Sequence, residues 1–390
     1  MKLALSQNQE DILFFLDNNP EKWGTELDGK QILSPSSVNY DECDFVLVLV
    51  LRYSEVVSQL KQLGILEEKI KLFHEVGELL NAEMEIVSEN ERITFSKWNQ
   101  KNKSKKVLIV VHELTRNGVS VVLMNTAILL RKMGYKVLMT SLIGGGLEEE
   151  LGTHGIDYSV QLSMFYRSEE IKKSLPDMQF VITGTVGVAD VVDSFSETDV
   201  PIVWWMHESN DRNFLDFSIK RRQNIHYYAG GKRVEECFHK YYPERKIEKL
   251  LYFLPEKKVQ KHIEKEIFRV AVIGFLNYRK AQDVFIKAIE GISEEKKRSV
   301  EFDLIGVEIE PIFNLEEALQ RNAELRYLGE LTQEGLSDYF SSLDLLVCPS
   351  RDDPMPVVVT QAMQNAIPCI VSSQVGQSEY IENGKNGYVF

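Results

Sequence analysis

The chain lacks paired cysteines, long apolar runs and any excess of positive charge. Its 390 residues hold four cysteines, Cys43, Cys237, Cys348 and Cys369, at no paired spacing and mostly in apolar surroundings. That argues against a disulfide framework or a cysteine metal site, and for the reduced thiols of a cytoplasmic chain. The longest strongly apolar run, Phe45 to Leu51 (FVLVLVL), falls far short of the roughly 20 residues that span a bilayer, and no signal peptide precedes the first helix. Membrane association is therefore expected to be peripheral at most, at the inner face. With 45 Lys and Arg against 59 Asp and Glu, the formal charge is -14. Nucleic acid is excluded as a general partner, and an anionic ligand has to find local positive charge. No nucleophile or metal-ligand cluster stands out.

What is present is a recurring strand and helix pattern. Leu345 to Cys348 reads as a buried strand, Pro349 to Pro356 as a Pro-punctuated loop, Val357 to Asn365 as an apolar helix, and Pro368 to Ser372 as a second strand. This order is a βαβ unit, whose ligands bind beyond the carboxyl ends of the strands. Pro356 suits the first helical position because its missing N–H would have no partner there. The free N–H groups of Val357 and Val358 then face the loop and, with the helix dipole, suit a diphosphate. Asp353 and Gln361 stand eight positions apart, about 12 Å if most of that interval is helical, which one pocket can use.

Lysine-rich polar stretches divide the chain into three segments. Residues 1–104 carry a strand at Phe45 to Leu51, an amphipathic helix from Tyr53 to Leu63 stopped by Gly64, and a strand at Lys69 to Phe73. The segment reads as half of a Rossmann-like unit, a small α/β accessory domain with no GxGxxG turn and a docking or scaffold role, through which a protein partner is expected. Residues 105–262 begin with a near-continuous apolar strand, Val107 to Val111, suited to a buried parallel sheet. Its loop HELTRNGVS (His112 to Ser120) contains Arg116 and a single glycine, Gly118, and leads to a helix from Val121 to Met133 capped by Gly134. Strands follow at Lys136 to Ser141, Phe180 to Thr183 and Ile202 to Met206, the last running into His207 at the ligand edge. Lysines and arginines from Arg221 to Lys246, Arg233 among them, alternate with glutamates and read as a solvated surface. Residues 263–390 restart the pattern: strand Phe268 to Ile273, Gly274 opening the loop FLNYRKAQD with Arg279 and Lys280, a helix through Val284 to Ile289, and strands ending at Gly306 and Gly329.

From Val107 to Phe390, about three quarters of the chain, these motifs resemble family 4 of the retaining glycosyltransferases with the GT-B architecture. The resemblance implies an α/β fold of two Rossmann-like domains facing a cleft, an acceptor domain at 105–262 and a donor domain at 263–390. The family carries two glutamates eight apart, the first by the donor sugar and the second on the nucleotide ribose. Asp353 and Gln361 match those positions, the one shorter by a methylene and the other uncharged. By the same resemblance Arg279 and Lys280 contact the diphosphate beside Gly274, His207 approaches the donor sugar, and the loop holding Arg116 and Gly118 faces acceptor or phosphates. The usual glycine after the lysine is Ala281. The family continues past the N-G-Y strand with further helices, so the end at Phe390 reads as an early C-terminus.

The resemblance implies transfer of a hexose-type sugar from a nucleoside-diphosphate sugar to a saccharide, lipid-linked or protein acceptor, in bacterial surface glycan synthesis, without a metal or a cofactor. The departing phosphate would take the acceptor proton. Two alternatives stay open: a non-catalytic relative that binds acceptor or stabilises an active partner, and a sugar-nucleotide enzyme such as an epimerase.

Overall fold

A computed structural model describes residues 12–49, 53–72, 84–100, 105–160, 168–209, 223–256 and 266–390. The ends of the expected strands at Leu51 and Phe73, the cations Arg221 and Arg222, and most of both lysine-rich linkers lie outside them. The chain divides into two compact units, Met1–Trp204 with Leu215–His226, and Trp205–Phe214 with Tyr227–Phe390.

The first unit opens with a small sheet of order β1–β3–β2 (Phe15–Leu16, Lys30–Leu33, Glu26–Leu27). Asp28 and Gly29, both at positive φ, make the tight turn between β2 and β3. A parallel pair follows, β4 (Val46–Val48) and β5 (Ile70–Leu72), joined by the helix Tyr53–Gln62, with Gly64 left-handed after it. Both strands are shorter than the apolar runs that hold them.

The main sheet of this unit begins earlier than residue 104. Strands β6 (Glu85–Ser88) and β7 (Glu91–Thr94) form a hairpin, and β6 pairs antiparallel with β10 (Asp157–Val160). The short helix Phe95–Gln100 then buries Trp98, whose Nε1 donates to Asp157 Oδ2 at 2.8 Å while Lys136 Nζ lies 4.7 Å over its ring. Strands β8 (Lys106–Glu113), β9 (Lys136–Ile143), β11 (Met178–Thr183) and β12 (Ile202–Met206) complete a run of order β12–β11–β8–β9–β10–β6–β7. From β12 to β10 all pairs are parallel. Val107 to Val111 are fully buried, as a strand covered on both faces requires. The helix after β8 spans Gly118–Lys132 and starts three residues before the expected Val121, because Asn117 caps it by accepting from the Ser120 N–H.

In the second unit, which takes β13 (Ile225–Ala229) from Tyr227 on, Tyr228 and Ala229 pair in parallel with β14 (Glu248–Lys249). Six parallel strands form its sheet: β15 (Phe268–Ile273), β16 (Val300–Ile305), β17 (Leu325–Gly329), β18 (Leu345–Cys348), β19 (Cys369–Val371) and β20 (Gly387–Val389), in the order β17–β16–β15–β18–β19–β20. Alternate residues of β15 serve opposite faces: Val270 and Val272 join Phe285, Phe302 and Leu325, whereas Ala271 joins Leu346, Val359 and Val371. The strand order reverses between β15 and β18. Loops leaving the carboxyl ends of these two strands diverge, which opens a crevice at that edge. Among the described residues no helix is long and apolar enough to cross a membrane.

Candidate functional site

The loop after β15, Gly274 to Ala281, is braced from within. The Gly274 N–H donates to the Ile305 carbonyl, and Gly274 and Gly306 both hold strongly positive φ. A Cβ on Gly306 would stand 2.1 Å from the Gly274 carbonyl oxygen, so the backbones meet only as glycines. Buried Gln282 donates to the Phe275 carbonyl at 2.9 Å, and Asn277 Oδ1 accepts the Lys280 N–H at 2.9 Å. Ala281 sits left-handed at φ 59° directly before the helix Gln282–Glu290, the conformation for which a glycine is the usual choice.

The loop after β18 is pinned residue by residue. Arg351 makes two bonds to Asp283, at 2.9 and 2.7 Å, holding that carboxyl below the usual range, and lies over the Tyr278 ring. Asp352 accepts from Arg233 at 3.1 Å and from the Ser209 hydroxyl at 2.7 Å, and its carbonyl accepts from Arg279. Asp353 is 5% exposed and pairs with Lys280 at 2.5 Å and Arg279 at 3.5 Å. Pro354 leaves no space beside it: a Cβ on Gly376 would stand 1.7 Å from its carbonyl oxygen, and one on Gly231 3.0 Å.

The structure thus brings Arg279, Lys280, Gly274 and Asp353 together at the switch point of the second sheet. Pro356 is the residue before the helix Val357–Gln364, at ψ 123°, and not its first turn. Its ring removes an N–H just where the chain enters the helix, and no side chain caps the N–H groups of Val357 and Val358. Since the helix begins at Val357, only half the interval from Asp353 to Gln361 is helical. The Gln361 side chain has no hydrogen bond among the described residues, while its carbonyl accepts from Asn365. Tyr252, Thr360 and Gln377 form a buried polar cluster around the Pro356 carbonyl, which accepts from Gln377 Nε2 at 2.7 Å.

His207 follows β12, its ring centroid 5.0 Å from that of Trp205. Gly230 makes room for the imidazole, since a Cβ there would stand 2.7 Å from Nδ1. His207 Nε2 is buried without a partner. Burial pushes the imidazole down to about 4, so the ring is neutral at physiological pH and has a nitrogen for a ligand hydroxyl. The sign for stability follows. Above pH 6.5 the ring is neutral folded or unfolded; as pH falls towards 4 only the unfolded chain takes the proton, so stability is lost across that window and not beyond it. Denaturant titrations of wild type and His207→Gln between pH 7 and 4 should diverge in this sense, by no more than about 3 kcal/mol. A parallel pair of curves would contradict the buried neutral ring.

Arg116 and Gly118 lie in the first unit. Arg116 is spent on Glu150, at 3.0 and 3.1 Å, and its guanidinium fills the space beside Gly146. Gly118 is the first residue of its helix and not part of the loop before it. Nearby, the Glu113 carboxyl is held down to about 2 by His112, 3.6 Å away, and by bonds from Thr115 and Asn117. Neither Glu113 nor the tie from Arg233 and Ser209 to Asp352 is evident in the sequence. Arg233 corrects the reading of its stretch as solvated surface: 28% of its side chain is exposed and its charge is paired. The one available signal is Gly230-Gly231 opening the helix Lys232–Tyr241.

Three family models match: glycosyl transferases group 1 at residues 255–390, glycosyl-transferase family 4 at 103–229, and C2185-like, N-terminal at 1–71. No curated protein matches the chain. Among solved structures, Alr3699/HepE of Anabaena in complex with UDP and glucose is similar at TM-score 0.62 and 16% identity, over 73% of this chain and 85% of that one. WaaG, a glycosyltransferase of lipopolysaccharide biosynthesis, is similar at TM-score 0.57 and 13% identity, over 73% and 85%. TarM is similar at TM-score 0.58 and 12% identity, over 73% and 88%. At these identities the likeness is one of fold. Glycosyltransferase family models thus match the chain over two long stretches, and the architecture that it shares with these structures is the GT-B fold.

Proposed function

We propose that the protein is a retaining glycosyltransferase that moves a sugar from a nucleoside-diphosphate sugar to a saccharide, lipid-linked or protein acceptor in bacterial surface glycan synthesis. The observation that carries this reading is the pairing of two cations, Lys280 and Arg279, around buried Asp353 at the switch point of a parallel sheet. Arriving diphosphate competes with Asp353 for these cations and gains the uncapped N–H groups of Val357 and Val358. The complex of HepE with UDP-glucose makes that donor the first to try.

In the proposed step the bond from the sugar C1 to the diphosphate oxygen breaks with its electron pair on the phosphate. The acceptor hydroxyl oxygen bonds to C1 from the same face, and its proton passes to the departing phosphate. Lys280 and Arg279 stabilise the charge that grows on the leaving group. Asp353 stands by the sugar, Gln361 by the ribose, and neutral His207 offers its free nitrogen to a sugar hydroxyl. No divalent ion takes part. The test is His207→Ala in a donor panel. Nucleoside diphosphate release should fall about 100-fold with the binding of the free nucleotide unchanged. Unaltered turnover would sink the role of His207, and nucleotide binding without turnover in the wild type would favour a non-catalytic binding protein.

A further inference from the structure

The geometry points to Arg233 as a positioning residue that sets the His207 stretch in register with Asp353, an inference that rests on the function proposed above. Arg233 touches the residues on either side of Asp353's own fixings. Its NH2 group bonds Asp352 Oδ1 at 3.1 Å, one residue before Asp353. Its NH1 group bonds Gln374 Oε1 at 2.7 Å, and the carbonyl of that same Gln374 accepts the Asp353 N–H at 3.2 Å. Neither contact is made to Lys280 or Arg279.

The other end of the tie leads to His207. Asp352 Oδ1 also accepts from the hydroxyl of Ser209, two residues after His207 and 143 positions away in sequence. The turn that launches Arg233's helix, Gly230-Gly231, lies against both partners: Gly230 against the imidazole, and Gly231 against the Pro354 carbonyl. A planar guanidinium suits the position because two N–H groups must reach two acceptors in fixed directions. Arg233 Nε is buried and unpartnered, so two of its three nitrogens carry the tie.

The consequence is a division of labour. Lys280 and Arg279 hold the diphosphate, and Arg233 keeps the two groups beside the sugar at their working separation. Errors of about 1 Å in such a separation cost on the order of 100-fold in rate without touching affinity for the nucleotide.

The experiment compares wild type, Arg233→Ala, Arg233→Lys, Asp352→Asn and the double variant Arg233→Ala/Asp352→Asn, with turnover read as nucleoside diphosphate release from UDP-, GDP-, ADP- and dTDP-glucose. Binding of UDP, GDP, ADP and dTDP is read by calorimetry. Arg233→Ala should lower kcat about 30- to 100-fold while the Kd of the preferred nucleotide stays within about twofold. Arg233→Lys should recover part of kcat, because one ammonium meets Asp352 or Gln374 but not both. The double variant Arg233→Ala/Asp352→Asn should be no slower than Arg233→Ala, since the two groups act as one. Wild-type kcat in Arg233→Ala, or equal losses of kcat and nucleotide binding in Arg233→Lys and Asp352→Asn, would overturn the inference while leaving the enzyme. A wild type that releases nothing from any donor would overturn the proposed function and this role with it.

Discussion

Asp353→Asn should lower turnover about 100- to 1000-fold and at the same time tighten the binding of free nucleoside diphosphate. The two effects have opposite signs because one carboxylate does two things. In the ligand-free protein it is the counter-charge of Lys280 and Arg279, at 2.5 and 3.5 Å. A diphosphate entering there meets two cations already occupied and one anion that repels it. At ~6 Å and an effective dielectric of about 20 that repulsion is about 3 kcal/mol as an upper bound, and water in an open site reduces it. A gain of a few-fold to about 30-fold in affinity is the expected remainder. During transfer the same carboxylate faces a sugar ring that becomes positively charged as C1 leaves the phosphate, and the amide does not offer that stabilisation. Calorimetry with the preferred nucleotide and a release assay read the two signs separately. Weaker binding together with retained turnover would remove Asp353 from the site.

Gly376→Ala should be severely damaging, costing about 3 kcal/mol or more and abolishing nucleotide binding. The added carbon would stand 1.7 Å from the Pro354 carbonyl oxygen, a backbone atom with no rotamer to change. The loop is fixed on every side, by Arg351 on Asp283, by Asp352 on Arg233, and by the paired N–H and C=O groups of Asp353 with Gln374 and Gly376. Relief therefore means moving Asp353 off its cations. Gly64→Ala is the control: Gly64 holds φ +86° with nothing within 4 Å of the new carbon, so it bears only the left-handed strain, about 1 kcal/mol. Urea unfolding of the two variants separates clash from conformation. A Gly376→Ala midpoint no lower than that of Gly64→Ala would contradict the packing of this loop.

The parallel framework was legible because a strand covered on both faces is an uninterrupted apolar word. Phe268–Ile273, Leu345–Cys348 and Ile202–Met206 fall where their apolar residues do. Gly274, Arg279, Lys280 and Asp353 could be placed because each lies just past such a strand, where short loops leave little freedom. The hairpin β6–β7 escaped notice for a local reason. Its two-residue turn has Glu89 and Asn90 at φ 52° and 66°, so the usual glycine is missing, and its strands mix charge with few apolar residues. Pro356 was misplaced by one residue and the helix start at Gly118 by three, since capping depends on ψ and on Asn117, not on residue type alone. The Arg233 tie to Asp352 joins residues 119 positions apart. One arginine among lysines, other arginines and glutamates carries no mark of such a partner, and only the folded chain distinguishes it from the cations around it.

The measurement that bears most directly on the account is the thermal unfolding midpoint of the wild type and of Arg279→Ala against UDP, GDP, ADP, CDP and dTDP. A ligand that binds only the folded state raises the midpoint by mass action, so at about 100 times its Kd the gain is roughly 2.7 kcal/mol. The account predicts a rise with one of these nucleotides in the wild type and its loss in Arg279→Ala. A wild-type midpoint indifferent to all five, or a rise equal in both proteins, would contradict a donor pocket built on Arg279, Lys280 and Asp353.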